Sequence, residues 1–301
     1  MPLLESGHRV VGAVEMRDQT QNWSRLQRWL KILYWRCLRG RQPPHLRHLA
    51  EAHDIPYITI ETVGDQAFVA WLKALKPDVL VVYKMSILSE EILSVPVYGA
   101  INIHPSLLPR YRGSSPILWM HHRLDLEGGV TVNFVDRGMD TGDIIYQQPF
   151  PIEIGMSEVT VEQLAVDQFG IPLLVKALDA IADNNCPRVR QPATSPTPSA
   201  RRVTGEKYWQ MIDWNQWSLE HTWHFLRCTP WWRFKLPPHP IVGETIEYWI
   251  GAYERSAHSA VPGSLQRDTH GFYFAHPRGK IRVLQRFSFK RFMVHLLRVF
   301  F

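Results

Sequence analysis

The run "DVLVVY", Asp78–Tyr83, is apolar at almost every position. Such a strand has no solvent face, so it belongs in a sheet covered on both sides. It stands in a series. "HRVVGAV" (His8–Val14) and "IPYITI" (Ile55–Ile60) precede it, and "GAINIH", "GVTVNFV" and "DIIYQQPFPI" follow. Helical stretches separate several of them. "DQAFVAWLKALK" (Asp65–Lys76) ends at Pro77, and Ser157–Ala182 reads as a long helix bent at Pro172. Strands alternating with helices imply a mostly parallel α/β sheet of Rossmann-like type. The chain opens on Pro2–His8, which reads as the end of a first helix, so the central first strand of such a sheet is missing. That absence would leave backbone groups unpaired, and an upstream start is the expectation.

The pattern changes after Asn185. Pro187–Arg201 holds four prolines among Ser and Thr and reads as an extended linker. From Lys207 onward, "TIEYWIGAYE", "GFYFAHP" and "KIRVLQRF" are short strand candidates set between Gly and Pro turns. The expected organisation is a catalytic domain over 1–186, a linker over 187–206, and a β-rich, OB-like barrel over 207–301 with a basic, apolar tail.

Hydrophobic residues make up 45% of the 301 and charged residues 21%, enough apolar material for two cores and too much for a disordered chain. Cys37, Cys186 and Cys228 form no CxxC pair. Neither a disulfide framework nor a zinc pattern is visible, and a reducing cytoplasm is expected. No apolar run reaches membrane-spanning length, and the N-terminus lacks the regions of a signal peptide. The net charge of +6 suits an anionic partner. Arg17–His48 concentrates it, with eight Lys/Arg against one Asp. Its core, Trp23–Arg41, reads as a basic amphipathic helix: a solvated face, an acceptor-binding element or a peripheral membrane contact.

The chemistry concentrates in "INIHPSLLPRYRG", Ile101–Gly113. If Ile101 and Ile103 face one side of a strand, Asn102 and His104 face the other. An amide beside an imidazole can stabilise an oxyanion and hold a proton, which suits acyl transfer to or from an amine. A carboxylate would orient the imidazole. The loop "DRGMDTGD" offers Asp136, Asp140 and Asp143. The adjacent His121 and His122 would point apart and read as surface residues, and Cys228 reads as packing.

"INIHPSLLPRYRGSSPI" followed by "GVTVNFVDRGMDTGDII" resembles the folate-dependent formyltransferase family over roughly His8–Ala182. "YWQMIDWNQWSLEHTWHFLRCTPWW" is similar, more weakly, to the entry to the C-terminal domain of its tRNA and sugar branches. The resemblance implies formyl transfer from 10-formyltetrahydrofolate to a primary amine, without a metal or a covalent enzyme intermediate. By resemblance, Asn102, His104 and Asp140 are the catalytic trio. Ser106, Leu107, Leu108 and Pro109 contact the folate, and Ser86, Ile87, Leu88 and Asp136 wall its pterin pocket. Arg110 and Arg112 meet an anionic group. The acceptor is charged initiator tRNA by first choice and a nucleotide-linked amino sugar by second. Lys84 and the aromatic basic helix depart from the tRNA branch. A non-catalytic nucleic-acid-binding relative is the reading from another class.

Overall fold

The computed structural model describes residues 2–16, 46–84, 86–203, 207–228 and 246–287. The basic segment Trp23–Arg41, Cys37 and the apolar, basic tail lie outside the described residues. The chain divides into two compact units that interleave in sequence. The first comprises Met1–His104, Thr131–Tyr146 and Ile171–Ala193; the second comprises Pro105–Val130, Gln147–Gly170 and Thr194–Phe301.

In the first part of the chain, β1 (Ala13–Met16) and β2 (Tyr57–Ile60) pair in parallel. A separate four-stranded sheet has the order β3-β4-β5-β6, with β3 at Leu80–Val82, β4 at Ala100–His104, β5 at Glu127–Phe134 and β6 at Ile144–Pro151. β3 runs parallel to β4, whereas β4 and β5 are antiparallel. The sheet is therefore mixed rather than mostly parallel, because β5 enters it from the opposite end.

Local chemistry fixes the helix that flanks these strands. Asp65 caps Gln66–Leu75 by accepting from the Ala67 N–H at 2.9 Å. Lys76 closes it in the left-handed conformation, its N–H donating to the Leu72 carbonyl. Pro77 then prevents continuation. Phe68, Val69 and Leu72 turn into a core that holds Ile60, Val82, Leu88, Ile92 and Ala100. Each such side chain contributes roughly 1.5–3 kcal/mol when fully buried.

The long helix expected over Ser157–Ala182 is three pieces. Glu158–Gln163 is α-helical, Leu164–Gly170 is a π-helical stretch, and Ile171–Ala182 is α-helical again. The irregularity falls in the turn just before Pro172. It occupies the turn whose carbonyls the missing Pro172 N–H leaves without their helical donor, and which the proline ring crowds.

The C-terminal strands form an antiparallel sheet with the order β7-β10-β9-β8, where β7 is Ile246–Glu254, β8 Leu265–Asp268, β9 Gly271–His276 and β10 Gly279–Phe287. The order is linear among the described residues, so the sheet is open there and the expected closed barrel is not shown. Leu118, Tyr208, Leu219, Phe225, Phe274 and Ile281 are buried together in the second unit's core. The Pro-rich stretch is held by hydrogen bonds. Val189 and Ile144 exchange backbone bonds at 2.9 Å, Ser195 Oγ donates to the Pro109 carbonyl at 2.7 Å, and the Ala200 N–H donates to the Arg112 carbonyl at 2.8 Å.

Candidate active site

β4 delivers the alternation read from its sequence. Ile101 and Ile103 are buried in one direction, and Asn102 and His104 share the opposite face. Hydrogen-bonded pairing places Asn102 opposite Asn133 and His104 opposite Thr131 on β5. His104 ends the strand and is 4% exposed. Little water reaches the ring, so its interactions are with protein groups or a ligand.

The carboxylate comes from the loop between β5 and β6. Asp140 Oδ1 stands 3.6 Å from His104 Nδ1. That is ion-pair reach, slightly longer than a hydrogen bond. Asp140 itself is in the left-handed region, at φ 56°. Its conformation is held from two sides. Gln191, nearly buried, donates its side-chain amide to the Asp140 carbonyl at 3.0 Å and to the Gly142 carbonyl at 2.6 Å. Gly142 lies so close to the Phe134 carbonyl that any side chain there would overlap it. Gln191 was not a candidate from sequence. It falls in the Pro-rich stretch, where no periodicity marks a residue that reaches another loop.

The three aspartates have distinct surroundings. Asp136 is exposed; its Oδ1 accepts from the Gly138 N–H at 3.0 Å and from the Thr141 hydroxyl at 2.7 Å. It closes a turn. Asp143 has Arg188 at 4.0 Å, whose guanidinium lies over the Phe134 ring. Asp140 alone among them approaches His104 within ion-pair distance. Of the other residues expected around the pterin, Ser86 and Ile87 are exposed, and Leu88 is buried in the first unit's core.

The segment that follows His104 belongs to the second unit. Ser106 is fully buried and donates to the Arg110 carbonyl at 2.8 Å. Leu107 packs against Gly129, where a Cβ would collide with it. Gln147 donates to the Leu108 carbonyl at 2.8 Å, and the Leu108–Pro109 peptide is cis. Arg110 is ion-paired with Asp125 and, at 3.0 Å, with Glu127. Arg112 is 8% exposed. His121 departs from its expected surface position. The helix Pro116–His122 is buried at Pro116, Ile117, Leu118, Met120 and His121, because it presents apolar residues on nearly all sides.

Chemically, β4 and the Asp140 loop combine an amide donor, a shielded imidazole and a carboxylate at the carboxyl end of a strand. That end is where open α/β sheets bind ligands. The set can stabilise negative charge on a carbonyl oxygen and retain a proton nearby.

A family model described as formyl transferase matches residues 39–178. A methionyl-tRNA formyltransferase from Methylacidiphilum infernorum is 32% identical over 254 residues, covering 78% of this chain and 74% of that protein. Another, from Pelotomaculum thermopropionicum, is 36% identical over 192 residues, covering 63% of this chain; the match spans 56% of that protein's length. Among solved structures, an N-formyltransferase from Helicobacter canadensis, crystallised with folinic acid and dTDP-3-aminofucose, superposes with a TM-score of 0.55 at 16% identity, covering 93% of this chain and 100% of that one.

Proposed function

The chain belongs to the formyl transferase family, and from that premise we propose that it moves a formyl group from 10-formyltetrahydrofolate to the amine of a charged initiator tRNA, as a methionyl-tRNA formyltransferase acting in translation initiation. The approach of His104 to Asp140, with Asn102 on the same strand face, carries this reading. The bound donor substrate supplies the formyl carbon, already attached to a nitrogen that can leave.

The residues of this chain then have distinct tasks. The acceptor amine must be unprotonated to form its bond to the formyl carbon. Asn102 donates to the formyl oxygen as negative charge develops there. His104 adds its N–H to the same charge. Asp140 favours the imidazolium and fixes the ring's orientation. As the bond from carbon to the donor's nitrogen breaks, the proton lost by the acceptor ends on that nitrogen, with His104 as its carrier.

In this proposal residues 1–186 form the catalytic domain, with a Rossmann-like sheet. The turn Ser106–Leu107–Leu108–Pro109 contacts the folate, with Ser86, Ile87 and Asp136 near the pterin and Leu88 backing them from the core. Arg112 meets an acceptor phosphate; Arg110 does so in competition with Asp125 and Glu127. The likeness to relatives named methionyl-tRNA formyltransferases supports the tRNA acceptor. A nucleotide-linked amino sugar is the second reading, supported by the departure at Lys84, which adopts a left-handed backbone beside Tyr83.

The test offers labelled formyl donor with either charged initiator tRNA or a panel of nucleotide-linked amino sugars. The expected outcome is label on tRNA, lost in His104→Ala. Label on a sugar overturns the tRNA assignment and retains formyl transfer. Label on neither, with tRNA bound, leaves a binding protein and overturns the enzyme.

A further inference from the structure

The second unit holds a cluster that formyl transfer does not use. His121 lies in the last turn of the helix Pro116–His122, and His224 and Cys228 lie one turn apart on the helix Leu219–Cys228. All three are nearly sealed from solvent, at 0%, 0% and 2% exposure. His121 Nδ1 stands 3.0 Å from His224 Nε2. The Cys228 sulfur is 3.4 Å from His224 Nδ1 and 3.8 Å from its Nε2. One donor atom from each of the three falls within 4.8 Å of the others. At ordinary zinc–nitrogen and zinc–sulfur bond lengths, tetrahedral donors stand about 3.3–3.6 Å apart. The cluster is therefore within a small side-chain adjustment of a coordination sphere.

We propose that His121, His224 and Cys228 form a buried binding site for one zinc ion, separate from formyl transfer.

The surroundings favour this assignment. Burial disfavours a charge on either ring, with His224 adding to this at His121 and His221 adding to it at His224. A neutral ring has one lone pair to give; on His224 it is the Nδ1 lone pair that the Gly155 N–H occupies, so a metal there displaces that bond. As hydrogen-bonding groups alone the two rings are poorly served. The Gly155 N–H donates to His224 Nδ1 at 2.9 Å, so the His224 proton sits on Nε2 and faces His121 Nδ1. The His121 proton is then on Nε2, a buried atom with no partner. Burial pushes the Cys228 thiol up, so it keeps its proton until a cation displaces it. The Gly155 N–H acts on that sulfur in the opposite sense, favouring the thiolate. It is a ready outer-shell donor to a metal-bound sulfur.

Donor chemistry selects the ion. Around Cys228 the Arg227 guanidinium favours the thiolate and the Glu158 carboxylate opposes it. Imidazole and thiolate together match zinc, whereas magnesium and calcium prefer oxygen. Gly155 also lines a surface cavity of about 630 Å³, with Ser157, Thr160, Trp223 and Arg227.

The test uses the full chain carrying Cys37→Ser and Cys186→Ser, stripped of metal and free of any affinity tag. One equivalent of Zn²⁺ is added, excess is removed by gel filtration, and metal content is measured. One zinc per chain is expected, with affinity reduced about 100-fold or more by a further Cys228→Ser. Co²⁺ added to the Cys228-containing chain should show a thiolate-to-metal absorption band. If Cys228→Ser fails to fold, that spectrum decides alone. Less than stoichiometric zinc, uptake of Cu⁺ with refusal of Zn²⁺, equal zinc affinity in a folded Cys228→Ser chain, or bound Co²⁺ without the band would each overturn the proposal.

Discussion

Gln191 donates one side-chain amide to two backbone carbonyls, those of Asp140 and Gly142. It thereby sets the backbone from which the Asp140 carboxylate reaches His104. Replacement by alanine leaves both carbonyls short of a donor at a cost of roughly 1–3 kcal/mol. Gln191→Ala should lower kcat about tenfold while changing the KM for the formyl donor much less. Gln191→Glu, isosteric but without the N–H donors, should behave like alanine. Steady-state kinetics on both variants checks this, and an unaltered kcat would show that the loop is held by other bonds.

His104 and Asp140 should act as a unit. Asp140→Asn keeps the shape and removes the charge that favours the imidazolium, so kcat should fall about 10²–10⁴-fold. His104→Ala should fall at least as far. The double variant should be little worse than His104→Ala, because the carboxylate has no role without the ring. Additive losses in a double-mutant cycle would mean that Asp140 acts independently of His104.

The legible parts of this molecule were those with a local signal. The alternation of Ile101, Asn102, Ile103 and His104 placed two polar groups on one strand face, and β4 has that arrangement. Asp65 followed by an amphipathic run and Pro77 gave both ends of a helix. What escaped lacked such a signal. β5 looks apolar whether it runs parallel or antiparallel, so its direction against β4 is not written in its own residues. The adjacency of His121 and His122 implies opposite faces only on a strand. On a helix, neighbours are only about 100° apart and a broad apolar stripe covers both. "PILWMHH" is apolar nearly all round, which was the available clue. Gln191 and His224 gain their partners from distant segments, through contacts that no spacing in the sequence encodes.

Gly142 tests the second restraint on the Asp140 loop. A Cβ there would overlap the Phe134 carbonyl oxygen, a backbone atom that cannot rotate away. Gly142→Ala should destabilise the protein by about 1–3 kcal/mol and depress kcat as the loop shifts. Gly64→Ala is the matched control, since its new Cβ would meet only the Thr62 hydroxyl at 4.0 Å. Thermal unfolding of the pair should show a lower Tm for Gly142→Ala alone. Equal Tm values would mean that the backbone near Phe134 yields at no cost.

Alkaline stability should report on Tyr111. Its hydroxyl donates to Asp125 at 2.8 Å, beside the Arg110 ion pair. Burial first, then the bond and charge of Asp125, push its pKa up to about 12. The folded state therefore holds this proton more tightly than the unfolded chain, whose tyrosine titrates near 10. The associated stabilisation, on the order of 2–3 kcal/mol, is fully present below pH 10 and is lost as pH rises toward 12. Tyr57 adds to the same slope, its pKa raised by burial and by its bond to Glu15. Tyr111→Phe removes the ionisable group and keeps the ring. It should lower stability at pH 8 and flatten, without abolishing, the decline between pH 10 and 12. Denaturant unfolding at a series of pH values measures both effects. A decline as steep in Tyr111→Phe as in the unaltered chain would assign the whole slope to other groups.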